Sequence, residues 1–375
     1  MKRLSLIVRG VLGLVIFALV LEFCARVDDA LSYGAAFWPP YNREILETRD
    51  SIGKRGRPGA RFQKWKLNSL GFRGPELRSG SLRIACFGAS ETFGLYEAEG
   101  QEFPRQLERE LNTRAGRNSF QVVNVAYVGE TVATATLRVP EIVEQVHPSY
   151  AILYPSAAAY IWLPWVREGP ALAASAATQA EPIPARFEWR IRERIRNLLK
   201  QALPSFIQTG LRQREIQAAL AGYSVMDRVP EENVLRFRKD VSQLVVVLRA
   251  AGVEPVLVTH ATAFGKTLSE SDRDLLIAWR KFYPMLKEEG FLDMEQRMND
   301  AIRDLAGQEH VLLVDAASEI PPGRGHFADF SHFTTPGAAV MASRLADGLQ
   351  SVIDSQVRRG SADPPPRPAA SSDRN

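Results

Sequence analysis

Two short stretches of this chain place proton-transfer side chains at close spacing. The first is Gly88-Ala89-Ser90-Glu91-Thr92-Phe93-Gly94. A serine on a tight turn between a strand and a helix can expose its hydroxyl at the top edge of a sheet. To act as a nucleophile it needs a base to take its proton and donors for the resulting oxyanion. The same serine also fits a helix N-cap flanked by turn glycines. The second stretch is Asp329-Phe330-Ser331-His332, followed by Phe333-Thr334-Thr335-Pro336-Gly337. An i, i+3 spacing lets a carboxylate and an imidazole lie side by side in a turn. Asp329 then accepts from one ring nitrogen and fixes the tautomer, leaving the other nitrogen for a serine. Taken alone, Asp-x-x-His also serves as a plain helix cap.

Elements must bring these two stretches together. Residues 82–87, 120–126, 150–154, 253–260 and 311–314 are nearly continuous apolar runs without the alternation of a half-solvated strand. They predict five buried parallel strands. Helical patterns at 103–111, 131–145, 231–251 and 294–305 separate them. A last helix is expected from Thr335-Pro336, read as an N-cap followed by Pro at the first helical position. Strand and helix in alternation predict a three-layer α/β/α sandwich around a five-stranded parallel sheet. In such sheets ligands bind beyond the carboxyl ends of the strands. Ser90 follows the first strand and Asp329 and His332 follow the last, so both motifs fall on that edge.

Four segments stand outside this rhythm. Lys2, Arg3 and Arg9 precede an uninterrupted apolar run over residues 10–21, with Glu22 and Arg26 after it. The uncharged run is shorter than the roughly 20 residues that cross a bilayer. Flanking apolar residues lengthen it if Arg9 and Glu22 snorkel. Phe23-Cys24-Ala25-Arg26 offers no small-residue cleavage site, so residues 1–26 read as a cytoplasmic stub and an uncleaved signal anchor. The basic flank puts the N-terminus in the cytoplasm and the rest outside it. Residues 27–80 read as a juxtamembrane segment, and 81–350 as the main domain. Within it, residues 162–230 form an insertion in which Phe187, Ile191, Ile195, Leu198 and Ala202 recur at helical spacing among Arg190, Arg192, Arg194 and Arg196. Such a helix suits anionic headgroups, an acidic polymer, or simple packing on the domain. The composition of 351–375 reads as a disordered tail.

Composition narrows the function classes. Forty-seven Lys plus Arg against 43 Asp plus Glu give a net charge of +4, too small to argue for nucleic acid. Five His and two Cys show no ligand spacing, so no metal site is expected, and a Cys24–Cys86 disulfide is not expected either. His260 ends the fourth strand and reads as a hydrogen-bonded rim residue or a substrate contact. His326 lacks a carboxylate at the right offset for a base. Glu91 borders the nucleophile and either tunes it or faces the helix dipole. Tyr154, Tyr160, Trp162 and Trp165 suit stacking on sugar rings or packing in the core.

With these motifs in place, the chain resembles the SGNH, or GDSL-type, hydrolase superfamily, in its membrane-anchored bacterial branch. The resemblance spans roughly residues 68 to 350, interrupted by the insertion. Gly88-Ala89-Ser90 is similar to the family's first block, with Ala89 in place of the usual Asp. Val123-Asn124-Val125-Ala126-Tyr127-Val128-Gly129 is similar to the second block, whose glycine supplies an oxyanion-hole amide. Asp329 and His332 match the fifth block. Asn68-Ser69-Leu70-Gly71-Phe72-Arg73-Gly74 resembles a lead-in of membrane-anchored envelope and exopolysaccharide proteins. The resemblance implies Ser90 as nucleophile, His332 as general base, Asp329 as its orienter, and the amides of Ser90 and Gly129 as oxyanion donors. It departs at the third block: Tyr154-Pro155-Ser156-Ala157-Ala158-Ala159-Tyr160 carries Ala158 where the family has a donor Asn.

The expectation is a serine esterase or O-acyltransferase acting on ester groups, O-acetyl above all, of an envelope or exopolysaccharide. It would be anchored in the inner membrane by its N-terminal helix, with the catalytic domain extracytoplasmic. Ser156, Tyr160 and His260 are candidate substrate contacts. No cofactor is expected, and the partner is an acylated small molecule or polysaccharide. Two alternatives accompany this reading: a non-catalytic glycan-binding or assembly protein, and a lipid esterase.

Overall fold

The computed structural model describes residues 2–33, 37–38, 46–161, 189–219, 225–265 and 268–362. The chain opens with a long helix, α1 (Lys2–Tyr33). Within it Val8–Leu31 has a mean hydropathy of 2.2 and is long and apolar enough to cross a membrane. At 1.5 Å per residue such a span exceeds a hydrocarbon core of about 30 Å. The helix runs past the apolar stretch ending at residue 21 because the charges beyond it are neutralised. Arg26 Nε donates to Glu22 Oε1 at 2.6 Å, one turn apart.

Two antiparallel hairpins follow, β1 (Glu47–Arg49) with β2 (Lys54–Gly56) and β3 (Arg61–Phe62) with β4 (Trp65–Lys66). Leu46, Phe62, Trp65 and Leu67 pack with Phe93 and Tyr127 in a small cluster of their own. Asp50 ties the first hairpin to the main domain through a two-pronged contact with Arg138, 2.8 and 3.1 Å.

The main domain then alternates strand and helix: β5 (Leu82–Gly88), α2 (Ser90–Phe93), α3 (Phe103–Ala115), β6 (Phe120–Asn124), α4 (Val132–Val146) and β7 (Tyr150–Tyr154). After a short 3₁₀ turn (Ala158–Tyr160) come α5 (Arg190–Ala202), α6 (Ser205–Ala219), α7 (Glu231–Ala250), β8 (Glu254–Val258) and α8 (Glu270–Arg280). The chain continues with α9 (Glu288–Glu309), β9 (Leu312–Val314), α10 (Ala316–Glu319), α11 (Thr335–Gly348) and α12 (Gln350–Ala362).

Strands β5 to β9 form one parallel sheet in the order β6-β5-β7-β8-β9. Successive side chains point to opposite faces, as strand geometry requires. Ala85, Phe87, Ala151 and Leu153 join the core with α4, α7 and α9. Ile84, Cys86, Ile152 and Tyr154 join the core with α3, α11 and α12. The result is the three-layer sandwich that the alternation predicts, and also the fold that the SGNH resemblance implies. Cys86 is buried in β5 and Cys24 exposed on α1; both are free.

Several boundaries differ from the sequence expectation, each for a local reason. α9 starts six residues before the expected 294, because Phe291 packs on Trp279 with ring centroids 4.4 Å apart. α8 was not expected; it is opened by a capping box in which Ser269 and Asp272 satisfy each other's amides. The cap of α11 is Thr334 rather than Thr335, its Oγ1 accepting from the Gly337 N–H at 3.2 Å. The tail expected to be disordered from 351 begins as α12, since Val352 and Ile353 bury against the α3 and α11 side of the core. Residues 363–375 of that tail lie outside the described residues.

In the insertion, the helix that the apolar spacing predicts is α5, and its arginines bind α1. Arg190 Nε donates to Asp29 Oδ2 at 2.6 Å, and Arg194 Nη2 reaches Asp28 and Asp29 at 2.6 and 2.9 Å. The Ile191 N–H donates to Glu22 Oε2 at 2.9 Å. Ile195, Leu198 and Leu199 are exposed on α5. Phe187, Trp162 and Trp165 lie outside the described residues.

Candidate active site

The carboxyl edge of the sheet builds the site. β5 ends at Gly88, where a Cβ would press into the Thr92 side chain and come within 2.9 Å of the Tyr154 carbonyl. Only glycine lets the chain turn this closely against the neighbouring strand. The turn places Ser90 at the first position of α2, where its N–H has no carbonyl within the helix to bond. Gly94 closes that single helical turn with φ +85°. Arg73 braces the far side: its buried guanidinium donates to the carbonyls of Phe93, Gly94, Glu97 and Ala98 and pairs with Glu102 at 3.3 Å.

The structure brings Ser90, His332 and Asp329 together. Ser90 Oγ donates to His332 Nε2 at 2.9 Å. His332 Nδ1–H faces both oxygens of Asp329 at 2.9 Å. Asp329 Oδ1 also accepts from the N–H groups of Ser331 and His332 at 3.0 and 2.9 Å. Those two amides help fix the carboxylate against the imidazole. Burial alone would raise the Asp329 carboxyl, yet the His332 hydrogen bond and charge and the two amides hold it below its ordinary value. For His332, burial favours the neutral ring, but the Asp329 hydrogen bond and the charges of Glu91, Asp329 and Glu97 raise its pKa. The Tyr96 ring meets the imidazole edge-on, centroids 5.3 Å apart.

Gly129 sits at the third position of a Tyr127–Glu130 turn closed by a 3.1 Å backbone bond. Its φ of +80° is what a type II turn requires there. Ser90, Gly129, Ser156 and Ala158 all line one cleft of about 420 Å³. Ala158 offers no side-chain donor to it. Tyr96, Phe282 and Phe330 add aromatic surface to the same cleft, with Trp279 and Tyr283 behind them.

One candidate contact is placed differently from expectation. Tyr160 is fully buried: its hydroxyl donates to Asp240 Oδ2 at 2.9 Å and its ring packs on Phe237. It belongs to the core under α7, because a tyrosine there finds both an apolar seat and a buried acceptor. His260 lines the cleft that holds Ser90 and is hydrogen-bonded there, largely buried, its Nδ1–H donating to Glu295 Oε2 at 2.8 Å. Its main-chain N–H and C=O are both taken by the Asn299 side chain, at 2.7 and 2.9 Å. Glu295 and Asn299 were missed in the sequence. The available signal was two polar residues four apart on the face of α9 that otherwise carries Phe291, Met294, Met298 and Ile302.

Fold and site together define a class: an α/β sandwich with a Ser-His-Asp relay at the carboxyl edge of its parallel sheet. No family model matches the chain. No curated protein matches it either. Among solved structures it is similar to LAE5, an alpha/beta hydrolase enzyme from the metagenome of Lake Arreo, at 14% identity and TM-score 0.42, over 73% of this chain and 97% of that one. It is similar to TesA at 12% identity and TM-score 0.40, over 72% of this chain and 99% of that one. It is also similar to Axe2, an acetyl xylan esterase from Geobacillus stearothermophilus, at 13% identity and TM-score 0.43, over 72% of this chain and 95% of that one. The function proposed below rests on the site's own geometry.

Proposed function

We propose that this chain is a serine esterase or O-acyltransferase working through Ser90, His332 and Asp329. The observation that carries the reading is the unbroken relay from Ser90 Oγ through both His332 nitrogens to Asp329, every link 2.9 Å, at the mouth of a large cleft. Ser90 Oγ attacks an ester carbonyl while His332 Nε2 takes its proton. The amides of Ser90 and Gly129 receive the developing oxyanion. As the tetrahedral adduct collapses, His332 returns the proton to the departing alkoxide and an acyl-serine remains. Water or a sugar hydroxyl then gives its proton to His332 and attacks that acyl group, and His332 hands the proton to Ser90 Oγ as the second adduct collapses and the acyl product leaves. Asp329 holds the ring in the required tautomer throughout. With Ala158 in the third block, one side-chain donor is missing, a loss of about 2.7–4 kcal/mol in transition-state stabilisation where such donors have been removed.

The substrate we favour is an O-acyl, above all O-acetyl, group on an envelope or exopolysaccharide. Support comes from an N-terminal helix able to hold the site outside the cytoplasm and from the arginine-rich α5 bound to that helix. In this arrangement α5, bound to the end of α1, lies at headgroup level. The aromatic side of the cleft favours one second reading, an esterase for apolar acyl chains. The test is covalent labelling of the full chain in detergent or nanodiscs with a fluorophosphonate probe. Labelling of the wild type that is lost in both Ser90→Ala and His332→Ala supports the enzyme. An unlabelled wild type that still binds polysaccharide would leave a non-catalytic glycan-binding protein. Rates on acetyl against long-chain esters separate the two substrate classes.

A further inference from the structure

The proposed mechanism uses one carboxylate, but the site contains a second that it leaves idle. Glu91, the residue after the nucleophile, is buried and points back into the site. Its Oε1 accepts from Ser331 Oγ–H at 3.1 Å, and its Oε2 lies 3.3 Å from Ser90 Oγ. Ser331 is the chain neighbour of His332, so Glu91 ties the nucleophile turn to the loop that delivers the base. Behind Glu91 stands His260, with Nε2 at 3.7 Å from Glu91 Oε1 and Nδ1 at 2.8 Å from Glu295 Oε2. The longer contact is an ion pair rather than a hydrogen bond. Four elements are thereby locked around the serine: α2, the end of β8, α9 and the 329–332 loop.

We infer that Glu91 is a positioning residue for His332, a second anionic partner that stabilises the imidazolium formed during acyl transfer and, through Ser331, fixes the loop carrying that ring. The inference deepens the enzymatic reading above and rests on it. A buried, ionised carboxylate is costly unless paired and hydrogen-bonded, and the arrangement supplies both. Burial would raise the Glu91 carboxyl, but His260 and His332 hold it far below the carboxylate range. Burial would lower His260, yet Glu295 and Glu91 raise it to about 10, so it stays a cation that keeps Glu91 ionised. The charges facing His332 are then Asp329 on its own loop, Glu91 from α2 and Glu97 from the loop after α2. Burial raises the Glu97 carboxyl to about 7, so Glu97 is only partly ionised near neutrality, while Glu91 is fully charged.

The serine hydroxyl has a single proton and two acceptors within reach, His332 at 2.9 Å and Glu91 at 3.3 Å. The shorter contact commits it to His332. Once the proton has moved, the new cation has the charge of Glu91 acting on it as well as that of Asp329. Because both Glu91 and its partner His260 are charged before the reaction starts, nothing need reorganise at the moment of transfer.

The test separates charge from tether. The five histidines of the full chain are labelled with ¹³C at Cε1, and the His332 resonance, assigned by its absence in His332→Ala, is titrated by NMR in the Ser90→Ala background. This readout does not depend on turnover. Glu91→Gln keeps an acceptor for Ser331 but removes the charge, and the His332 midpoint should fall by about one pH unit. Glu91→Asp restores the charge and should return most of that shift. Ser331→Ala removes the tether: in the Ser90→Ala background it should leave the midpoint within a few tenths of a unit, and in the chain that keeps Ser90 it should slow fluorophosphonate labelling. A midpoint unchanged in Glu91→Gln, or one displaced equally in Glu91→Asp, overturns the inference. Should Glu91→Gln not fold, the Asp variant decides alone: the inference requires its midpoint to stay near that of the parent and above an ordinary histidine's. A wild type that fails to label at all refutes the enzymatic reading and takes this inference with it, whereas a labelled wild type with an unmoved Glu91→Gln midpoint refutes the inference only.

Discussion

At the scale of single residues, the orientation of His332 decides what Ser90 can do. Asp329 must remain ionised and accept from Nδ1, because only that tautomer leaves Nε2 free to take the serine's proton. Asp329→Asn presents an amide that stabilises the other tautomer, and kcat/KM should fall roughly 10,000-fold with little change in melting temperature. The direction of the His332 shift fixes the sign of the pH dependence. The base works as the neutral ring, and its pKa is raised in the folded chain. Activity should therefore be lost as pH falls, with the acidic limb of kcat/KM centred above the ordinary histidine value of about 6.5. A limb centred below that value would show that the carboxylates around the ring do not act on it. The contact of Asp329 with His332 was legible in the sequence because the Asp-x-x-His spacing carries its own geometry. Tyr160 was not, because whether an aromatic faces a cleft or the core depends on a distant acceptor, here Asp240 on α7.

Elements fix where those residues stand. The nucleophile turn is packed so closely that Gly88 has no room for even one more carbon, being hemmed in by Thr92 and the Tyr154 carbonyl. Gly88→Ala should push α2 outward, lengthen the Ser90–His332 contact and cut the rate of probe labelling at least tenfold, by analogy with the cost of a 1 Å misplacement. The sheet survives, because its strands are buried on both sides by other residues, and circular dichroism should be unchanged. The five strands were readable as apolar runs because a parallel sheet buried on both faces leaves no polar alternation to confuse the pattern. Their ends were less readable: β6 stops at Asn124, whose side chain turns to the Thr92 carbonyl and leaves residues 125 and 126 to the turn before Gly129. α12 was hidden by the Pro, Ser and Asp residues that follow it, although Val352, Ile353 and Val357 already had helical spacing.

On the scale of the whole molecule, one long apolar helix and one α/β body are joined by polar contacts. Glu22, Asp28 and Asp29 on α1 receive Ile191, Arg190 and Arg194 from α5, so the insertion is bound to the helix that would enter the bilayer. If α1 spans the membrane with its basic end inside, two outcomes follow. Alkaline carbonate washing should leave the chain in the membrane pellet, and protease added to intact spheroplasts should digest the α/β body. Protection of that body would reverse the proposed orientation, and release by carbonate would replace the span by a peripheral attachment.

Ser90 and His332, the proposed nucleophile and base, are 242 residues apart, with Ser90 after the first strand of the parallel sheet and His332 after the last. A nascent chain therefore carries a chemically ordinary alcohol until nearly its whole length has emerged and the final strand has docked beside β8. If Ser90 is the nucleophile proposed above, its reactivity is withheld until the 329–332 loop is in place, and products truncated before that loop should not take up the fluorophosphonate probe.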